Sequence, residues 1–213
     1  MRVRLSLLLA LSMALAFRVP AALAQTGPEL WSIQLDGGLF VLNDASGPTP
    51  RAGIRYGKHF TSHVSGGLLT GFAYKVSSLE APAAGPQGSD SHVELARADA
   101  RMVPLMAFMQ VDLTDRFFLV PFVGIGAGYE WLRLQGTDHQ TAQESKVTYG
   151  NLAWEGYAGA GVRLTRKVRV NGELYYSGGS LERRVLAADG STWLEAVHVN
   201  GVGARVGLDL VFE

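Results

Sequence analysis

From Leu152 to Leu164 the chain alternates. Leu152, Trp154, Gly156, Ala158, Ala160, Val162 and Leu164 hold one parity, and Ala153, Glu155, Tyr157, Gly159, Gly161 and Arg163 the other. Successive side chains leave a strand on opposite sides, so a period of two marks a strand whose faces meet different surroundings. Val168 to Tyr176 repeats the pattern, with Val168, Val170, Leu174 and Tyr176 against Arg169, Asn171, Glu173 and Tyr175. The last segment sets Val202, Ala204, Val206, Leu208, Leu210 and Phe212 against Gly203, Arg205, Gly207 and Asp209. Five further segments, 31–42, 51–60, 64–76, 101–113 and 118–134, bring the expected number to eight strands. Only 101–113 resists phasing by its apolar residues; Gln110 and Asp112 put its even positions on the polar face.

Composition narrows the class further. None of the 26 glycines falls in the first 24 residues, and so high a glycine share is costly in helices. With 19 basic and 19 acidic residues the chain lacks the positive charge of a nucleic-acid binder. The absence of cysteine excludes a disulfide framework and any thiolate metal site.

Residues 1–24 read as a secretory signal peptide. Arg2 and Arg4 precede an apolar run from Leu5 to Phe17, and Ala22-Leu23-Ala24 offers the small residues of a cleavage site before Gln25. Residues 25–213 then form one domain, mildly acidic once the three arginines of the leader are gone. This domain holds no run of 18 apolar residues, so an exported chain of this kind enters a bilayer as strands. Its expected connections alternate in length. Short turns at Thr61 to His63, Thr114 to Arg116 and Thr165 to Lys167 fall between longer polar loops at Asp44 to Thr49, Ser77 to Ala100, Gly136 to Lys146 and Gly178 to Glu195. Short turns on one rim and long loops on the other are the pattern of an antiparallel up-and-down transmembrane β-barrel.

Alternation does not say which face is outside; side-chain size does. The polar parity mixes charges with glycines, as a narrow bore requires, whereas the exterior of a soluble barrel favours residues with better strand propensity. Trp31, Tyr129, Trp131, Trp154, Tyr176 and Phe212 share the apolar parity, as an aromatic girdle does. The bore is then expected to hold the acids Asp36, Glu130, Glu155, Glu173 and Asp209 and the bases Arg51, Arg55, Lys75, Arg163, Arg169 and Arg205, paired across a plugged lumen. A soluble periplasmic carrier is the alternative if these charges face outward.

The C-terminal Arg205-x-Gly207-x-x-Leu210-x-Phe212 resembles the terminal-strand insertion signal of bacterial outer-membrane barrels. The chain from about residue 29 onward resembles the small eight-stranded barrels of the OmpA/OmpX-like group, and Pro121 to Tyr129 is similar to a strand common there. The resemblance implies an all-β, eight-stranded barrel in the outer membrane, with membrane lipid and the barrel-assembly machinery as partners. It names no activity. The expected role is a scaffold displaying extracellular loops, with an extracellular ligand or surface as a further partner; narrow solute passage and lipid modification are the alternatives.

No cofactor is indicated. Gly124-x-Gly126-x-Gly128 lies inside a strand and opens no helix, unlike a nucleotide-binding turn. His59 and His63 bracket a turn without a third metal ligand. Ser180, Ser191, Glu195 and His198 lie near one another in sequence without a recognisable catalytic motif, so the chain is read as a non-enzyme.

Overall fold

The computed structural model describes residues 30–43, 47–82, 92–114, 118–138, 143–186 and 190–212. The expected signal peptide and its cleavage site lie outside them. Nine strands are present: β1 (Trp31–Leu42), β2 (Thr49–His59), β3 (Val64–Pro82), β4 (His92–Asp112), β5 (Leu119–Asp138), β6 (Gln143–Arg163), β7 (Val168–Leu186), β8 (Thr192–His198) and β9 (Gly201–Phe212). Each pairs antiparallel with its neighbour from β1 to β7; β7 then pairs with β9, and β9 returns to β1 over Trp31↔Phe212 to Leu42↔Gly201. Eight strands thus close a ring, with β8 prolonging β9 along the upper half of β7. Closure leaves no unpaired backbone edge at the depth of the bilayer, where an unmet donor or acceptor has no water to turn to.

Side-chain parity runs as the sequence predicts. Leu35 and Leu39 on β1, Leu68 and Phe72 on β3, Ile125 on β5, Leu152 on β6, Leu174 on β7 and Val206 on β9 are all exposed on the outer wall. On the strand that resisted phasing, Met102, Met106, Gln110 and Asp112 are buried while Val103, Leu105 and Val111 are exposed, so its even positions face inward. Aromatic rings border the apolar wall. Trp31 stacks on Tyr56 at one end, 5.2 Å between centroids; Tyr129–Trp131 and Trp154–Tyr176 mark the other, at 4.7 and 5.6 Å. An arginine at Ile125, halfway along this belt on β5, is expected to cost about 2–4 kcal/mol in a bilayer. Urea unfolding in phospholipid vesicles measures it; a neutral result would place water, not lipid, against the wall.

The strands outgrow the sequence expectation on one rim. Most of Ser77–Ala100, Gly136–Lys146 and Gly178–Glu195, expected as loops, is ladder: β4 and β6 have 21 residues each and β5 has 20. About ten residues cross a membrane as a tilted strand, so roughly half of each stands in water beyond it. There the outer wall faces solvent, and the apolar alternation that marks a lipid-facing strand fades. By contrast β1 and β2 stop at 12 and 11 residues, and β3 continues above the last β2 pair, Arg51↔Ala73, with one side unpaired. The barrel is therefore a short wall on one side and a tall one on the other.

Between β8 and β9 the ladder is interrupted. The Val199 N–H donates to the Gly179 carbonyl (3.0 Å), and the Asn200 side-chain oxygen accepts from the Gly179 N–H (3.2 Å). The side chain supplies the acceptor that the backbone ladder omits, which lets the last strand bend while remaining paired.

Candidate functional site

The bore contains two tiers of buried ion pairs beneath an apolar upper core. In the lower tier Arg169 reaches Asp112 on β4 (2.8 Å) and Asp209 on β9 (3.1 Å), and Gln110 donates to the other oxygen of Asp112 (2.9 Å). Asn171 on β7 donates to Gln34 on β1 over the intervening β9 (3.1 Å). The middle tier is organised by Glu155, which is 0% exposed. Arg51 pairs with it at 2.9 Å, Arg205 at 2.5 Å and Arg55 at 3.8 Å. Arg55 makes a two-point contact with Glu173, which also pairs with Arg205. Three guanidiniums and two carboxylates, from β2, β6, β7 and β9, thus bridge the cylinder.

Aromatic rings hold the guanidiniums in place. Arg55 lies 4.3 Å from the ring centre of Tyr157, and Arg205 and Arg51 lie 4.6 and 4.9 Å from that of Tyr175. Phe40 stacks on the Tyr175 ring at 5.8 Å. Those rings fit because small residues stand opposite: a Cβ at Gly203 would lie 2.3 Å from Tyr175, and one at Gly124 2.2 Å from Tyr157. Glycine on the polar parity is room for a ring, which explains why glycines and charges share one face.

The sequence-predicted bore residues fall into three groups. Arg55, Glu155, Glu173, Arg205, Arg169 and Asp209 meet in the two tiers. Asp36 and Glu130 also face the bore but stand at the margin of the middle tier. Asp36 lies across Gly53 in the field of Arg55 and Arg51, while Glu130 is 2% exposed and its Oε2 has no hydrogen-bond partner. Lys75 and Arg163 are corrections. Lys75 sits high on β3 and its Nζ donates to the carbonyl of Gly47, a glycine with a φ of 75° (3.2 Å). Arg163 ends β6 at the short-turn rim and is exposed. Both keep the inward parity but lie beyond the plug. Asp112, from the unphased strand, enters it.

The charge balance of the bore changes accordingly. Instead of five acids facing six bases, the described membrane-spanning bore holds six acids, Asp36, Asp112, Glu130, Glu155, Glu173 and Asp209, and four arginines, Arg51, Arg55, Arg169 and Arg205.

Above the plug the interior turns apolar. Leu132, Tyr149, Leu181, Val199, Met102 and Ala73 pack together, with Leu134, Val147 and Val197 against them. Of these, Leu181 comes from a segment expected to be a loop, and Tyr149, Val147, Val197 and Val199 lie outside the eight expected strands. Higher still, Arg183 pairs with Glu195, and hydrogen bonds from Arg183 and Tyr149 hold the Glu195 carboxyl below its ordinary range. An open cleft of about 500 Å³ between the upper ends of β3 to β6 is lined by Ser77, Ala98, Gly136 and Ser145 with Arg97 and Asp138.

The residues weighed for catalysis separate. Ser180 and His198 are register partners on the outward parity, but no hydrogen bond joins their side chains, and Glu195 belongs to the inward parity with Arg183. Among the described residues no cluster has the makings of a metal site; His63 bonds Ser62 (2.8 Å), and His59 faces the lower tier with Asp209, Arg169 and Asp112 around it.

The terminal motif closes the ring. On β9, Arg205 and Gly207 face the bore, Leu210 is outward and 40% exposed, and Phe212 pairs in register with Trp31. A Cβ at Gly207 would meet the Gln34 amide at 2.9 Å.

An apolar exterior, aromatic borders, a charged bore and full closure define a bacterial outer-membrane β-barrel. The chain belongs to the outer membrane protein beta-barrel domain family, whose model matches residues 7–209. Its place in the cell is the outer membrane. No curated protein sequence matches it. Solved structures share the fold at low identity. Neisserial surface protein A is similar at 11% identity and a TM-score of 0.53, over 87% of this chain and 98% of that one. OprG from Pseudomonas aeruginosa has 12% and 0.53, over 87% and 96%, and a major outer membrane protein from Thermus thermophilus has 12% and 0.53, over 87% and 100%.

Proposed function

We propose that this barrel is a closed, non-enzymatic scaffold that holds a tall extracellular wall and its loops clear of the membrane. One observation carries the reading: three arginines converge on the fully buried Glu155 in the middle of the bore, with a packed apolar core stacked above them. A hydrated solute would have to break both layers, and separating a buried ion pair is costly. Strands continued in water, a cleft at their tips and unpaired edges on β3 and β8 are the surfaces that a partner outside the cell would meet. Export through residues 1–24 and delivery to the barrel-assembly machinery through the Arg205 to Phe212 motif belong to the same reading. Planar-bilayer recording tests closure. The refolded protein is expected to give no stepwise current, and steady single-channel steps would replace the scaffold by the solute-passage alternative.

A further inference from the structure

Two arginines stand side by side on the outer wall, just above the upper aromatic border. Arg101 on β4 and Arg133 on β5 are register partners, both exposed and both on the outward parity. The rung beneath them is Val103 opposite Trp131, and Tyr129 and Leu105 lie below that. A rung of two residues rises roughly 5 Å along the membrane normal for a strand tilted about 40°, so the guanidiniums stand at headgroup level.

Like charges directly opposite on a sheet repel, and a stable sheet answers them with a counter-charge. Among the described residues none stands against this pair. Asp99, one rung higher, is committed elsewhere: it accepts from the Tyr74 hydroxyl (3.2 Å) and from Arg97 Nε (3.3 Å). The Arg101 guanidinium lies 5.6 Å from the centre of the Tyr74 ring, which orients it along the wall. Among the described residues no carboxylate pairs with Arg101, Arg133 or Lys146, the last exposed one rung higher on β6.

We propose that Arg101 and Arg133, with Lys146 above them, bind the phosphate of an anionic glycolipid in the outer leaflet. A planar guanidinium matches a phosphate with two parallel hydrogen bonds, and a pair of them offsets the charge of a phosphate monoester. The apolar rungs below choose a lipid over a soluble anion. A phosphate at this height carries acyl chains that lie against Trp131, Tyr129, Val103 and Leu105, so both parts of one molecule are met by adjacent rungs.

Native mass spectrometry of the refolded full chain tests this, with bisphosphorylated lipid A, enzymatically dephosphorylated lipid A and inorganic phosphate as probes. The double variant Arg101→Gln/Arg133→Gln is expected to bind lipid A about thirtyfold more weakly, at about fivefold per arginine at a membrane surface. Dephosphorylated lipid A should bind weakly and equally to both proteins. The variant Arg166→Gln/Lys167→Gln, which removes two exposed charges from the opposite rim, should bind lipid A like the parent. Equal lipid A affinity for parent and Arg101/Arg133 variant, or an equal loss in the opposite-rim control, overturns the proposal. Displacement of lipid A by millimolar inorganic phosphate would show a soluble-anion site and overturn the lipid assignment. Since wild-type protein alone distinguishes the two lipids, indifference to their phosphates is a further refutation that needs no variant to fold.

Discussion

Replacing Glu155 with alanine is expected to destabilise the folded barrel by about 3–5 kcal/mol, the cost of leaving buried charge without its partner. Glu155 is fully buried and is approached by Arg51, Arg55 and Arg205 together. Without its carboxylate, Arg55 and Arg205 still have Glu173, but Arg51 loses its ion-pair partner and keeps the face of Tyr175 and the more distant fields of Glu130 and Asp36. Urea unfolding in phospholipid vesicles, followed by tryptophan fluorescence, gives the loss directly. Two companion variants separate the ion-pair account from simple loss of volume. Removing Arg51 as well, in Glu155→Ala/Arg51→Ala, should recover part of the loss, because the orphaned cation goes with its partner; a strictly additive double variant would contradict the pairing. Glu130→Gln should fall within about 1 kcal/mol of the parent, since its Oε2 has no hydrogen-bond partner to lose. A loss below about 1 kcal/mol at Glu155 would mean that the plug contributes little to stability.

Glu155 was legible in the sequence because the strand carrying it alternates without a break, and a period of two leaves only one choice of face. The same logic brought Glu173, Arg169, Arg205 and Asp209 to the bore. Asp112 was nearly lost because β4 buries Met102 and Met106 inward while exposing Val103 and Leu105 outward, so both faces are apolar. Where β3 to β6 line the bore, Leu69, Met106 and Ala153 pack as an apolar patch, and the charges come largely from β1, β2, β7 and β9. Apolar residues facing the bore beside the acids Asp112, Glu130 and Glu155 weaken the polar parity of that wall.

Height is the second thing that parity does not report. Lys75 and Arg163 have the inward parity, yet one is at the upper mouth, where its Nζ reaches the Gly47 carbonyl, and the other is at the lower rim, so neither stands at the height of the two tiers. The extended ladders were hidden for a related reason. Above the hydrocarbon the outer face of a strand meets headgroups and then water, so Arg101, Arg133, Asp99 and Arg97 replace the aliphatic row, and small inward residues such as Ala98 and Gly136 read as loop composition. The apolar residues that identify the upper core, Leu132, Leu181 and Val199, come together only once the long strands are paired.

Tyr175 offers the second large effect, because one ring is held from two sides. Its face receives Arg51 and Arg205, Phe40 stacks against it, and Gly203 on the neighbouring strand leaves the space it fills. Tyr175→Ala is expected to cost about 3–5 kcal/mol, the usual loss for truncating a buried aromatic side chain. The same ring can be displaced without being touched. Gly203→Val places a branched side chain where a Cβ already lies 2.3 Å from the ring, so the tyrosine must move, at about 1–3 kcal/mol for overpacking. Gly37→Ala provides the control, since its Cβ meets nothing within 4 Å on the exposed face of β1, and it should stay within about 0.5 kcal/mol of the parent. If Gly203→Val is as mild as Gly37→Ala, the ring does not lie over the glycine backbone, and the explanation of glycines sharing a face with arginines fails. If it is costly and the combination with Tyr175→Ala costs no more than Tyr175→Ala alone, the penalty at Gly203 is the displaced ring itself.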